Sequence, residues 1–309
     1  MNIIFFGSTT YSVEILKELL DKGYKPSLVV TQPDRPKGRG LKTASTEVKK
    51  FAIEKDLKVI TPATLKDPDF ISLLKDESPD LYIVVSYGKI LSQAFIDIPK
   101  ILVLGIHPSL LPKYRGAAPI NWVLINGESE TGVCLFKINA KMDEGEIIAQ
   151  EKVAIDLKDD FLTLSQKIYS VSRRLLIKTL PLLEKGSFGL KAQSLKPVSL
   201  APKIDKKTSK IDWSRDAESI RNLVRAVMPF PCAWSYFRQK RVKFWKVSSE
   251  IEDKKADFGE IVDVSRKAIK IKTKKGLILP LELQPEGKKP MSIDAFISGH
   301  HPQLGEKFY

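Results

Sequence analysis

In the first half of the chain, short runs of consecutive apolar residues alternate with longer stretches where apolar residues return every three or four positions. Runs of the first kind suit strands covered on both faces, and the second kind suits amphipathic helices. Residues 2–6 predict a strand, Gly7-Ser8-Thr9-Thr10 turns the chain, and residues 12–20 predict a helix carrying Val13, Ile15, Leu16, Leu19 and Leu20 on one stripe. Further strands are predicted at residues 27–31, 57–60, 81–85, 101–106 and 132–138, with helical segments between the earlier ones. The longest helix is predicted over residues 161–183. This alternation predicts an α/β fold built on a doubly wound, mostly parallel, Rossmann-like sheet.

Beyond Gly186 the pattern changes. Residues 187–213 lack helical periodicity and carry Pro197 and Pro202, which reads as an extended linker. A helix at residues 217–227 then gives way to short strands at 233–237, 242–247, 259–264, 268–273 and 277–283. Near-regular short strands predict a small OB-like β-barrel. The expected organisation is therefore a catalytic domain over residues 1–186, a linker over 187–213 and a basic barrel over 214–309.

Composition sharpens this picture at two points. The 309 residues carry 51 Lys and Arg against 37 Asp and Glu, and the last third, from residue 206 on, holds 22 cations against 13 acids. Such a surplus favours a polyanionic partner. Cys134 and Cys232 lack flanking ligand clusters, so neither a disulfide framework nor a zinc site is indicated, and a reducing, cytoplasmic setting is expected. No apolar run reaches membrane-spanning length. The first turn has one glycine and no Walker-type run occurs, which removes the usual support for dinucleotide or ATP chemistry.

The candidate chemistry sits where the strand predicted at residues 101–106 ends. His107, one of three histidines, opens the loop Pro108-Ser109-Leu110-Leu111-Pro112, and Met142-Asp143-Glu144-Gly145 follows 36 residues later. An imidazole can donate to an oxyanion or shuttle a proton, and a carboxylate can orient and charge-stabilise it. Taken singly, a histidine after a strand also fits a structural role, and an Asp before Glu-Gly a turn. The loop Gln32-Pro33-Asp34-Arg35-Pro36-Lys37-Gly38-Arg39-Gly40-Leu41-Lys42 excludes a helix or interior strand. It fits either a solvated turn or an arm whose arginines fork onto phosphate.

These segments together resemble the 10-formyltetrahydrofolate-dependent formyltransferases, and the basic loop is similar to that of the branch acting on methionyl-tRNA. The segments Pro202-Lys203-Ile204, Lys210-Ile211-Asp212-Trp213 and Gln284-Pro285-Glu286-Gly287 extend the likeness into the second half. The resemblance implies transfer of a formyl group from 10-formyltetrahydrofolate to the amine of initiator methionyl-tRNA, by a monomer with no metal and no membrane partner. It implies catalysis by His107 and Asp143, folate along Tyr87, Gly88, Ile90, Ser109, Leu110, Leu111 and Pro112, and tRNA on Arg35, Lys37, Arg39 and Lys42, with Arg39 the principal contact. A glycinamide ribonucleotide formyltransferase would stop after the first domain, and a sugar-nucleotide enzyme would lack the basic loop.

One position departs from the family pattern. Asn-x-His is replaced by Gly105-Ile106-His107, and the family asparagine helps hold the formyl oxygen. Losing one such donor costs about 10²–10³ in rate. The sequence leaves three readings open: water in the vacated space, a weakened enzyme, or a paralogue that binds tRNA and barely catalyses. If the space is open, Gly105→Asn should recover about the same factor. In the barrel, the alternation of residues 268–273 predicts Lys270 and Lys272 on one exposed face, continued by Lys274, as phosphate contacts.

Overall fold

The computed structural model describes residues 1–37, 42–194, 197–252 and 254–309. The first half contains β1 (Ile3–Gly7), α1 (Thr10–Asp21), β2 (Leu28–Val30), β3 (Arg35–Lys37), β4 (Lys42–Ala44), α2 (Glu47–Glu54), β5 (Val59–Ile60), α3 (Pro68–Asp76), β6 (Leu81–Val85), α4 (Gln93–Ile96) and β7 (Leu102–His107). It continues with α5 (Pro119–Ile125), β8 (Glu130–Lys137), β9 (Ile147–Ala154) and α6 (Phe161–Glu184). The remainder contains α7 (Ala217–Val227), β10 (Ala233–Phe237), β11 (Lys240–Glu250), β12 (Ile261–Val264), β13 (Ile269–Lys272), β14 (Leu277–Pro285), β15 (Met291–Ser292) and α8 (Ile293–His300).

The chain forms two compact units whose segments interleave. The first comprises Met1–Ala117, Glu130–Ala154 and Gln166–Leu200, and the second Ala118–Ser129, Ile155–Ser165 and Ala201–Tyr309. In the first, seven strands lie in the order β5-β2-β1-β6-β7-β8-β9. The strands from β5 to β7 are parallel, whereas β8 and β9 pair antiparallel. β1 and β7 are buried at every position, which explains their uninterrupted apolar runs. One core cluster gathers Phe6, Tyr82, Tyr87 and Phe95, whose rings meet Phe6 at 5.0–5.5 Å. Segments 86–91 and 108–116 leave the C-terminal ends of the neighbouring strands β6 and β7, the edge at which parallel sheets bind ligands.

The second unit is built on an antiparallel sheet in the order β10-β11-β14-β13-β12, with β15 on β14 and α7 packed on β11. Inside it, α5 lies against α7, and the Asn121 side-chain amide donates to the Ala226 carbonyl at 2.6 Å. Of the stretch 187–213, the described residues form no named helix or strand, and residues 206–209 make a turn. Lys191 bridges Ile147, Leu200 bridges Arg115, and Lys210 bridges Trp234.

Three details depart from the sequence-based expectation. The basic loop contains a small hairpin, β3 on β4, separate from the main sheet. Strand β9 and helix α8 carry patterns too weak to announce themselves: β9 is mostly half-buried, and α8 spans two turns. The lysine stripe on β13 is also corrected. Lys272 is only 5% exposed, and Lys270 is ion-paired with Glu250 at 2.8 Å and Glu252 at 3.4 Å. The alternation holds on the strand, but Lys272 lies where its amide closes onto the Glu260 carbonyl and that of Gly259 closes onto its own.

Candidate active site

His107 is the last residue of β7 and is almost completely buried. Its Nε2 lies 2.8 Å from the Tyr114 carbonyl, which can only accept, so Nε2 carries the proton and the neutral ring presents Nδ1 as a lone pair. That Nδ1 stands 3.7 Å from Oδ2 of Asp143. Burial pushes the imidazole below its ordinary value, and this outweighs the opposing pull of the Asp143 carboxylate and of the Tyr114 carbonyl. The resting site is thus a neutral base beside an acceptor oxygen, an arrangement suited to taking a proton from a donor placed between them.

The loop after His107 is fastened along its length. Ser109 is fully buried and its hydroxyl donates to the Lys113 carbonyl at 2.6 Å. The Cys134 thiol donates to the Ser109 carbonyl at 2.9 Å and accepts from the Leu111 amide at 3.2 Å. Burial pushes that thiol up to about 12, so it remains protonated. The Gln150 side chain donates to the Leu111 carbonyl at 2.9 Å. Tyr114 sits at φ +60 and its amide donates to the Ser199 hydroxyl at 2.9 Å.

Asp143 sits in the turn between β8 and β9, also at positive φ, and its Oδ2 accepts from the Gly116 amide at 2.8 Å. Gln193 spans this turn from outside, donating to the carbonyls of Asp143 at 2.9 Å and Gly145 at 2.7 Å. Arg115 donates in turn to the side-chain Oε1 of Gln193 at 2.8 Å and pairs with Glu144 at 3.0 Å. Gly145 has no room for anything larger, because a Cβ there would fall 1.6 Å from the Lys137 carbonyl oxygen. The sequence reading missed Gln193, which lies in a segment without periodicity. Arg115 was also missed, since its partners Glu144 and Gln193 are distant in sequence and leave no local signal.

Water in a vacated space is one of three readings left open for position 105, and the packing there bears on it. Gly105 lies directly opposite Phe136 on β8, and a Cβ built at Gly105 would meet the Phe136 ring at 2.4 Å and Ile138 at 2.9 Å. The place a Cβ would take is occupied by a buried aromatic ring, which argues against a water there.

The residues read as folate contacts divide into two groups. Gly88, at φ +76, and Ile90, 81% exposed, lie on the open side of segment 86–91, and Leu110 and Pro112 are half-buried. The Tyr87 ring is buried against Phe6, its carbonyl accepts from the Gln32 amide at 2.5 Å, and Leu111 packs with Cys134 and Phe136. Among the tRNA candidates, Arg35 is exposed on β3 and its charge, second to burial, holds the nearby Lys89 ammonium below its usual range. Arg39 lies outside the described residues, as do the side chains of Lys37 and Lys42. Among the described residues, no group of three or more His, Cys, Asp or Glu is placed to hold a metal ion, and no helix is long and apolar enough to cross a membrane.

Sequence comparison resolves the class. A formyl transferase family model matches residues 1–180 and a formyl transferase C-terminal domain model matches residues 203–301, so the chain belongs to the formyl transferase family. A WlaRD crystal structure, described as a sugar 3N-formyl transferase in the presence of dTDP and 5-N-formyl-THF, has the same fold, with a TM-score of 0.69 at 21% identity over 94% of this chain and 99% of that one. A phosphoribosylglycinamide formyltransferase from Bacillus halodurans, 25% identical, covers 60% of this chain while 97% of its own length is matched, at a TM-score of 0.51. The full-length likeness is narrower: the methionyl-tRNA formyltransferase of Thermodesulfovibrio yellowstonii is 43% identical over 96% of this chain and 95% of its own. That of Dictyoglomus thermophilum is 40% identical over the whole of both chains.

Proposed function

We propose that this chain transfers the formyl group of 10-formyltetrahydrofolate to the α-amine of initiator methionyl-tRNA, in the cytoplasm, for translation initiation. The observation that carries the chemistry is the buried, neutral His107, its Nε2 proton held by Tyr114 and its Nδ1 facing Asp143. The amine nitrogen attacks the formyl carbon, forming a C–N bond and an oxyanion, and Nδ1 accepts the proton that the nitrogen sheds. The carboxylate of Asp143 then faces a cation, an attraction of about 4 kcal/mol at an effective dielectric near 20. As the bond from carbon to N10 breaks, the same proton passes to N10, and His107 returns to its neutral state.

The oxyanion has no side chain at position 105 to receive it. Protonated His107 is the donor the site offers instead, one that exists only once the amine proton has moved. Folate would lie between segments 86–91 and 108–112, where the exposed Ile90 and half-buried Leu110 give apolar cover and the chain turns give backbone groups to a pterin edge. The basic hairpin supplies phosphate contacts, with Arg39 nearest in role to the family's principal one. The test is single-turnover transfer of radiolabelled formyl from 10-formyltetrahydrofolate to methionyl-tRNA, compared with uncharged tRNA, methionine and an amino-sugar nucleotide. Transfer only to methionyl-tRNA is the expected outcome. Binding of tRNA with no transfer would favour the impaired paralogue, and transfer to the sugar amine would assign the other branch.

A further inference from the structure

Pairing across β7, β8 and β9 puts His107 opposite Cys134 and Cys134 opposite Gln150, so the three side chains share one face of the sheet. On β8 the same face continues with Gly132 and Phe136. Each residue of this face answers a different part of the segment that begins at His107. Phe136 meets the His107 ring edge-on at 6.4 Å and packs with Leu111. A Cβ at Gly132 would fall 2.3 Å from Cδ2 of Leu110, so the glycine leaves the notch in which that leucine rests.

Cys134 and Gln150 deal with the backbone. The thiol gives its one proton to the Ser109 carbonyl, and its lone pairs accept from the Leu111 amide and from Nε2 of Gln150 at 2.7 Å. The second N–H of that side-chain amide serves the Leu111 carbonyl. Three main-chain groups on residues 109 and 111 thus depend on two side chains, from strands that contribute no reacting group. Cys134 is fully buried, whereas Gln150 is exposed on β9 at the edge of the sheet. Water could satisfy main-chain groups that an exposed side chain reaches, and a glutamine held inward loses rotamer freedom. Gln150 therefore adds order to the loop more than it adds stability to the core.

We infer that Cys134 and Gln150 are positioning residues for the formyl donor: they hold residues 109–111 in the conformation that receives 10-formyltetrahydrofolate, and act through the loop without touching the reacting atoms. The inference rests on the proposed folate reading of this segment. A loop held in its binding form has no ordering left to do, whereas a released loop lowers the apparent affinity by the fraction of time it is competent. Full-length Gln150→Leu, Cys134→Val and Cys134→Ser are compared with wild type by hydrogen exchange over residues 109–111 without ligand, by equilibrium binding of 10-formyltetrahydrofolate and by KM for each substrate. Gln150→Leu and Cys134→Val should speed exchange and weaken folate binding by roughly 5- to 100-fold, the effect of leaving one main-chain partner unpaired. KM for folate should rise with it and KM for methionyl-tRNA should stay put. Cys134→Ser, whose hydroxyl keeps the donor and both acceptor roles, should stay close to wild type. Gln150→Leu alters an exposed position and should melt near wild type, which separates the effect from loss of the fold. Faster exchange with unchanged folate affinity in Gln150→Leu would overturn the role while leaving formyl transfer standing. Equal rises in both KM values, unrelieved in Cys134→Ser, would overturn it too, because general loosening predicts them. A wild-type chain that binds no folate would overturn the proposed reaction, and this role with it.

Discussion

Phe136 occupies, from the adjacent strand, the space that a side chain at Gly105 would need; the two residues are paired across β7 and β8. Glycine here is one half of a packing arrangement whose other half is a buried ring. Gly105→Asn alone should therefore fail to raise formyl transfer and should destabilise the fold by about 1–3 kcal/mol, the usual cost of overpacking. Thermal denaturation and single-turnover rates check both parts. Pairing it with Phe136→Ala removes the overlap with the ring and should raise transfer by on the order of 10²–10³, the worth of one oxyanion donor, at a further cost in stability from the truncated ring. A large gain from the single variant would mean the ring moves aside freely.

His107 and Asp143 should divide the chemistry unequally. His107→Asn should lower kcat by about 10²–10⁴, the span of a lost general base. Asp143→Asn should leave the base in place, remove its counter-charge and slow transfer less. Rapid-quench measurement of a single turnover separates the two from product release.

The pH dependence follows from the lowered imidazole. The folded state favours neutral His107, so the acid limb of the rate profile should fall below pH 6.5, the ordinary histidine value. Removing Asp143 takes away a group that raises this value, so Asp143→Asn should move the limb to still lower pH. Stability has the same sign: above 6.5 both states are neutral and no penalty exists. As pH falls from 6.5 towards the folded value, the unfolded chain binds the proton first and stability is lost. An acid limb above pH 6.5 would contradict the burial of a neutral base.

Gly145→Ala should displace the turn carrying Asp143, because the added carbon overlaps the Lys137 carbonyl. Loss of transfer should accompany a lowered melting temperature. Gln193→Ala, which removes two hydrogen bonds to the same turn, should cost roughly 1–3 kcal/mol of local stability and a smaller part of kcat, readable as faster hydrogen exchange in residues 143–146.

The parts of this fold legible in the sequence are those where one force dominates. β6, β10 and α7 begin and end at the residues that their sequence patterns predict. His107 and Asp143 were legible as a pair through their motifs, and their convergence was an expectation that the 3.7 Å separation now quantifies. The Phe136 ring was not legible as a filler of position 105, since cross-strand register joins residues 31 apart and leaves no periodic trace. The burial of Lys272 was hidden for a related reason: alternation gives the face of a strand, but neighbouring strands and turns decide whether that face meets water.

Ser199 gives the catalytic loop a dependence that its position in the chain conceals. Its hydroxyl and carbonyl receive the amides of Tyr114 and Arg115, and Tyr114 in turn fixes the tautomer of His107. A chain cut near Gly186 would retain the seven-stranded sheet, His107 and Asp143, and lose both Ser199 and the Gln193 brace. Its imidazole would be free to hold its proton on either nitrogen. Poor activity in such a fragment would then report a base with an unassigned proton, even on a substrate that makes no use of the second unit.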